Sequence, residues 1–426
     1  MKRLLGFAGQ AGGISLAPLL VSIASVLTVP VIIATRGGDF WVSVAVGQAI
    51  GEIARSICTW GYYSRIAPVS ALSIPDRLDH YFESIVTRLL IVMVVVPVMI
   101  VVMLQMSFSD PAVALFMVLS GCFYGLSANW YFIAGNEPRW LIALDALPRA
   151  LTLGLAAVSL LVVTGPAGTW VFGGIVLLGN VVSVVGPYIL LRIRRTRMRM
   201  ARAPITLAGI RRVIVEGFPS LVISVALTLR LSLPVTITPI VAPAAGASVA
   251  LADKLLRWIN TAATPLMQVM QARVPQGKDP LDVKIRRALG YAWILGGMLG
   301  VGTALVVPVL GSFMSLGVVD VGFLASIPIG ISLCMIFVSA VIGLAALTLL
   351  GKSKNVALVS FVALGVLAAT IVPLVSLWGA AGAFWALALA EVSAVVFQHL
   401  TLWRELRDFP ARSVSVPGEA VSPEGL

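Results

Sequence analysis

Of the 426 residues, 59% are hydrophobic and only 11% are charged, and the mean hydropathy of +1.02 excludes a chain that keeps itself in water. The formal charge of +12 raises nucleic acid as a partner, but the basic residues do not gather on one solvated face, so no nucleic acid is expected. A bilayer core about 30 Å thick takes roughly 20 apolar residues per helix, so the chain has material for about a dozen spans and little for a soluble domain.

The opening MKRLLGFAGQAGG has the charged start of a secretion signal. The apolar stretch behind it is long enough to span and leads into many more, so it is expected to be the first helix and not a removable leader. Spans are expected near 11–34, 40–62, 84–107, 111–134, 140–164, 169–191, 213–240, 246–272, 288–310, 319–350, 354–376 and 378–403. With both termini in the cytoplasm, this division puts 23 of the 30 Lys and Arg in cytoplasmic segments and only Arg36 in an external loop. That imbalance is the positive-inside rule and sets the orientation. The fold class read here is an all-α polytopic membrane protein of about twelve transmembrane helices, in two six-helix lobes around a central cavity.

The longest cytoplasmic loop, RIRRTRMRMARAPITLAGIRR, divides the chain into an N-terminal lobe, 1–200, and a C-terminal lobe, 201–404. Six spans in each half give both the same orientation, the condition for parallel repeats. LTVPVII around Pro30 echoes LSLPVTI around Pro234, and Ser43-Val44-Ala45 recurs as Ser248-Val249-Ala250 at nearly the same offset. LTLRLSLPVTIT alternates like a strand, but a lone strand cannot satisfy its backbone in lipid. It is read as a helix interrupted at Pro234, with Pro30 marking the equivalent bend; the alternative is a pair of tolerated prolines without function. The tail 405–426, rich in Pro, Ser and Gly, is expected to be disordered in the cytoplasm.

Several chemistries find no foothold. Cys58, Cys122 and Cys334 all fall inside spans, an odd number without metal-like spacing, so no metal site and no disulfide frame are expected. His80 and His399 have no metal-like company. Gly351-Lys352-Ser353 ends like a phosphate loop, but Ala346 stands where that loop needs glycine and a membrane helix precedes it. No enzyme constellation is found and no cofactor is expected beyond a coupling ion, Na+ or H+.

The polar residues inside spans carry the functional reading. In ASVALADKLLRWINTAATPLMQVMQARV, Asp253, Lys254, Arg257, Asn260, Thr261, Thr264, Gln268 and Gln271 recur at steps of three and four, one face of a helix. Such a stripe must face a wet cavity or a polar partner, not lipid. Glu52 and Arg55 stand at i and i+3, and Asp145 and Arg149 at i and i+4; each pair reads either as a structural salt bridge or as part of a cavity. Gly47-x-x-x-Gly51 permits close helix packing. Arg88 and Glu216 are expected to snorkel near cytoplasmic ends, and Arg230 lies nearer the outer face, either snorkelling or lining a cavity. Glu391 sits midway along the last span with no base within a turn, a buried neutral acid or a cation site. The anion-binding candidates are therefore Arg55, Arg149, Arg230, Lys254 and Arg257. Asn260, Thr261, Thr264 and Gln268 are the polar lining, and Glu52, Asp145, Asp253 and Glu391 are candidates for cation coupling. A cavity shared by bases from both lobes selects anions, and arginine's planar fork suits phosphate oxygens.

Three stretches resemble the Wzx-type polysaccharide flippases of the multidrug/oligosaccharidyl-lipid/polysaccharide (MOP) superfamily. ATRGGDFWVSVAVGQAI looks like that family's opening, a Gly-rich turn before the second helix. NWYFIAGNEPRWLIALDALPRALTLGLAAV is similar to its fourth loop, an aromatic run, a glycine and a short charged turn. ASVALADKLLRWINTAATPLMQVMQARVP resembles its eighth helix, an acid and base followed by proline and a basic ending. The resemblance implies a MATE-like fold of twelve helices with a central cavity. It also implies movement of an undecaprenyl-diphosphate-linked oligosaccharide from the cytoplasmic to the external leaflet by alternating access, for export of a surface polysaccharide. Family bases in the second and eighth helices would correspond to Arg55 and to Lys254 with Arg257. The first span here holds no charge, whereas the related peptidoglycan-precursor flippases place arginines there, which speaks against that substrate. The partners implied are the lipid-linked glycan, membrane lipids and proteins of polysaccharide synthesis and polymerisation, in a bacterial cytoplasmic membrane. The competing readings are a cation-coupled drug or metabolite antiporter of the MATE branch and a non-transporting membrane partner of a polysaccharide synthase.

Overall fold

The computed structural model describes residues 2–200, 206–273, 280–348, 350 and 353–414, and every regular element among them is helical. Helix α1 covers Lys2–Thr59, but Gly37 lies at φ 80° and ψ 179°, a conformation open to glycine and not to a residue with a Cβ. Val21 and Glu52 line the same cavity. A straight helix would hold them roughly 46 Å apart, so the chain turns back at Gly37 and α1 is two antiparallel arms.

The next helices are α2 (Ile74–Leu104), α3 (Pro111–Tyr124), α4 (Asn129–Ala134), α5 (Leu147–Val162) and α6 (Gly165–Arg197). The second half holds α7 (Leu207–Val241), α8 (Gly246–Arg273), α9 (Leu281–Met314), α10 (Phe323–Ala340) and α11 (Ser353–Val414). In α11 the reversal comes at Gly379, with φ 54°. A Cβ on Gly382 would overlap the carbonyl of Leu374, which a straight helix would place about 12 Å away. Among the described residues nine helical segments are long and apolar enough to cross a bilayer. Two of these are the doubled α1 and α11, and α8 is barred from the nine by its charges, an arrangement that fits twelve passes of a multi-pass membrane protein. Apolar side chains such as Met93, Val94, Leu104, Val301 and Leu324 stand exposed, as a lipid-facing surface requires.

Short polar side chains set the helix starts. Asp110 accepts the Val113 amide at 3.1 Å ahead of Pro111, and Thr206 accepts the Gly209 amide at 3.1 Å. The two halves repeat one device at the end opposite the arginine-rich loop. Ser43 on the second arm of α1 lies 2.9 Å from Ser109 in the α2–α3 loop, and Ser248 on α8 donates to the Asp320 carbonyl in the α9–α10 loop at 2.8 Å. The echoing tripeptides thus occupy matching places. Helical structure runs unbroken through both Pro30 and Pro234, so the interruption expected at Pro234 is absent, and the break in α1 falls at Gly37 instead.

Close packing of α1 on α3 rests on the expected small residues. A Cβ on Gly47 would come 2.6 Å from the Ala114 carbonyl, one on Gly51 2.7 Å from that of Met117, and one on Gly121 would overlap the Gly51 backbone. Gly300 does the same for α9 on α10, where its Cβ would fall 2.7 Å from the Gly330 carbonyl, and a Cβ on Gly330 would overlap the carbonyl of Gly300. Gly121→Ala is therefore expected to cost about 1–3 kcal/mol through forced helix separation, read as a lower thermal midpoint of the purified protein in detergent.

Arg88 departs from expectation. It does not snorkel: it is wholly buried and donates to the carbonyls of Gly125 at 3.0 Å and Ser127 at 2.9 Å. Those carbonyls belong to the break between α3 and α4, where the helix end leaves acceptors free. Tyr62 and Trp130 flank the guanidinium at 5.2 and 5.9 Å, so the cation is held by ring faces and peptide dipoles.

Candidate functional site

The charges of α8 open onto a cavity of about 200 Å³. The first arm of α1 contributes Val21 and Ser25, and the second arm Gln48 and Glu52; α3, α5 and α6 add Tyr124, Arg149 and Asn180. Asp253, Lys254 and Arg257 close the opposite wall. The chamber therefore lies between the two halves of the chain.

Three arginines around it are each held by an acid on their own helix. Arg55 Nε donates to Glu52 Oε2 at 2.8 Å, one turn earlier on α1. Arg257 Nε donates to Asp253 Oδ2 at 2.7 Å on α8, and its Nη2 reaches the Leu231 carbonyl of α7 at 2.8 Å. Arg149 Nη1 lies 3.7 Å from Asp145 Oδ2. Lys254 has a different kind of partner: its Nζ donates at 3.0 Å to the neutral Oε1 of Gln48, across the chamber on α1.

Asp145 sits in a π-helical turn, Ile142–Ala146, directly ahead of α5. In this turn the Leu147 amide bonds to the Ile142 carbonyl, a wider spacing that relieves the clash Pro148 would cause in a regular helix. The turn faces Asp145 toward Asn129 and Tyr124. Asn129 Nδ2 donates to the Tyr124 hydroxyl at 2.7 Å and to Asp145 Oδ2 at 3.3 Å, and the Tyr124 hydroxyl lies 3.4 Å from the same carboxylate oxygen. Tyr124 is in turn covered by two guanidinium groups, Arg149 at 3.8 Å and Arg55 at 5.6 Å from its ring centroid. The aromatic ring lets two cations approach one another without a second carboxylate between them.

The structure thus brings Arg149, Lys254 and Arg257 to the cavity wall with Glu52 and Asp253, and sets Arg55 and Asp145 directly behind it. Arg230 is placed elsewhere. It forms an ion pair with Glu391, 3.0 Å between α7 and α11, and neither residue lines the chamber. Glu391 therefore has a basic partner after all, one distant in sequence. Further along α8, Thr261 and Thr264 bond back to the carbonyls of Arg257 and Asn260, and with Asn260 they lie off the cavity wall. The side chain of Gln268 lies outside the described residues.

Gln48, Tyr124 and Asn180 line the chamber without having been singled out from the sequence. For Gln48 the signal was there: Gln48, Glu52 and Arg55 recur at steps of four and three, the same stripe that marked α8. Tyr124 carried no such pattern, since its role depends on arginines from two other helices.

The helices of the two halves thus fold around one polar chamber whose wall carries charged side chains. The fold is shared with solved structures of a flippase and of multidrug transporters. A lipid II flippase, MurJ, in an inward closed conformation matches with a TM-score of 0.68 and 12% identity over 94% of this chain and 90% of that one. The MATE multidrug transporter DinF-BH, in complex with R6G, matches at 0.58 with 13% identity over 93% and 95%. A MOP-superfamily transporter from Pyrococcus furiosus, described as having reversed polarity in its binding pocket, matches at 0.52 with 14% identity over 94% and 96%. No protein-family model matches the sequence, and no curated protein matches it.

Proposed function

We propose that the chain is a flippase for a lipid-linked oligosaccharide, moving an undecaprenyl-diphosphate-linked glycan across the membrane by alternating access. The observation that carries this reading is the convergence of Arg149, Lys254 and Arg257, from helices of both halves, on one chamber, with Arg55 directly behind its wall. These four bases face three acids, so the site keeps one positive charge. An organic cation would enter against that charge, whereas a diphosphate satisfies it and offers oxygens matched to guanidinium forks. The acids hold the arginine planes in place, and Gln48, Ser25 and Asn180 supply neutral groups for sugar hydroxyls. The uncharged span 11–34 keeps the reading away from the peptidoglycan precursor.

The test is reconstitution into liposomes with a labelled undecaprenyl-diphosphate oligosaccharide. Accessibility of the glycan to a membrane-impermeant reagent should equalise between leaflets only when the protein is present. Transport of a cationic dye along an ion gradient, with no movement of the lipid-linked glycan, would assign the chain to drug export instead.

A further inference from the structure

Resting on the flippase reading, we infer that the hydrogen bond between Lys254 and Gln48 fastens the two halves of the chamber together, and that a diphosphate headgroup unfastens them by taking the ammonium from the amide. The three arginine pairs are each contained within one helix or its immediate π turn, so they persist whether the halves approach or part. The Lys254–Gln48 bond does not: its partners sit on α8 and on the second arm of α1, at 3.0 Å across the cavity wall. It is also the weakest-matched charge in the chamber, a full cation facing a neutral carbonyl oxygen. A phosphate oxygen makes a charge-assisted bond to the same ammonium, so it displaces the amide whenever it reaches the site. A ligand shifts a conformational equilibrium only through contacts that differ between the states, and Lys254 is a contact of that kind.

Separation of the halves can be read by a disulfide at the end of the chamber away from the arginine-rich loop. A Cβ on Gly38 would lie 3.3 Å from the Ala247 Cβ, close to disulfide geometry. Gly38→Cys with Ala247→Cys is placed in a chain whose three native cysteines, all buried, are replaced by serine. Oxidative cross-linking is then followed in proteoliposomes with no addition, with farnesyl diphosphate, or with inorganic pyrophosphate. Farnesyl diphosphate is expected to slow cross-linking at least about tenfold in the chain with Gln48 intact, the range one charged hydrogen bond controls. An equal effect of pyrophosphate shows that the diphosphate alone suffices; an effect of farnesyl diphosphate only shows that the lipid is needed to deliver it. Either result supports release.

Gln48→Ala should slow cross-linking by a similar factor without any addition, and the diphosphate should then add little. Gln48→Glu should cross-link at least as fast as the parent, because a carboxylate holds the ammonium more firmly. Opposite shifts from one position separate a fastening from a packing defect, which would move both variants the same way. If both variants respond to farnesyl diphosphate as the parent does, the fastening is wrong and the flippase reading survives. If Gln48→Ala is loosened but neither diphosphate affects the parent, the release step is wrong and the flippase reading loses support with it.

Discussion

Arg257→Ala is expected to lower flipping of the lipid-linked diphosphate at least about a hundredfold while the protein still inserts and folds. Two charge-assisted contacts to phosphate are lost, each about 1.5–3 kcal/mol, and every 1.4 kcal/mol is a factor of ten. The substitution also frees Asp253, whose carboxylate is held at 2.7 Å by Arg257, and so removes the chamber's excess positive charge. The effect of Arg257 on phosphate is separated from its effect on Asp253 by a second variant, Asp253→Asn with Arg257→Ala. This variant restores the charge balance without restoring the fork. The proposal expects it to stay inactive; recovery of transport to near the parent rate would reduce Arg257 to a counter-ion. Initial rates in liposomes, normalised to inserted protein, give the comparison.

Arg230→Met should damage stability more than any other single change considered. Glu391 is wholly buried, and neither of its carboxylate oxygens has a hydrogen-bond donor in bonding geometry among the described residues. Its compensation is the ion pair with Arg230 at 3.0 Å. Removing the arginine strands a charge in the middle of the bundle, at a cost of about 3–5 kcal/mol. Adding Glu391→Gln to the same chain should recover most of that loss, and a double-mutant cycle on thermal unfolding in detergent measures the coupling. An Arg230→Met protein as stable as the parent would show that the carboxyl is neutral in the folded protein.

The helices themselves were legible because bilayer thickness leaves so few solutions. Hydropathy located the apolar spans, and the basic loops between them set only the orientation to be expected. Helix α8 would be lost to hydropathy alone, since Asp253, Lys254 and Arg257 interrupt it, yet the three-and-four spacing of those charges revealed one polar face. Local pairs were readable for the same reason: Glu52 with Arg55 and Asp253 with Arg257 are fixed by helix geometry before any tertiary contact forms. What could not be read was whatever depends on two distant helices meeting. Arg230 finding Glu391, Lys254 finding Gln48 and two arginines converging on Tyr124 are products of packing. Arg88 misled because a base near a span end usually escapes to water, while here a gap between α3 and α4 supplied carbonyls in its place.

The arrangement of acids along the chamber bears on how the molecule can move at all. Because Glu52 travels with Arg55, and Asp253 with Arg257, each helix carries its own neutralising partner through the cycle. On the flippase reading, rocking the bundles need not break these ion pairs in a medium of low permittivity, a step that would otherwise set a high barrier. On that reading the stroke displaces compact dipoles and the one uncompensated charge of Lys254, which limits the grip of the transmembrane voltage on it. A flippase built this way would idle cheaply, its pace left to the cargo.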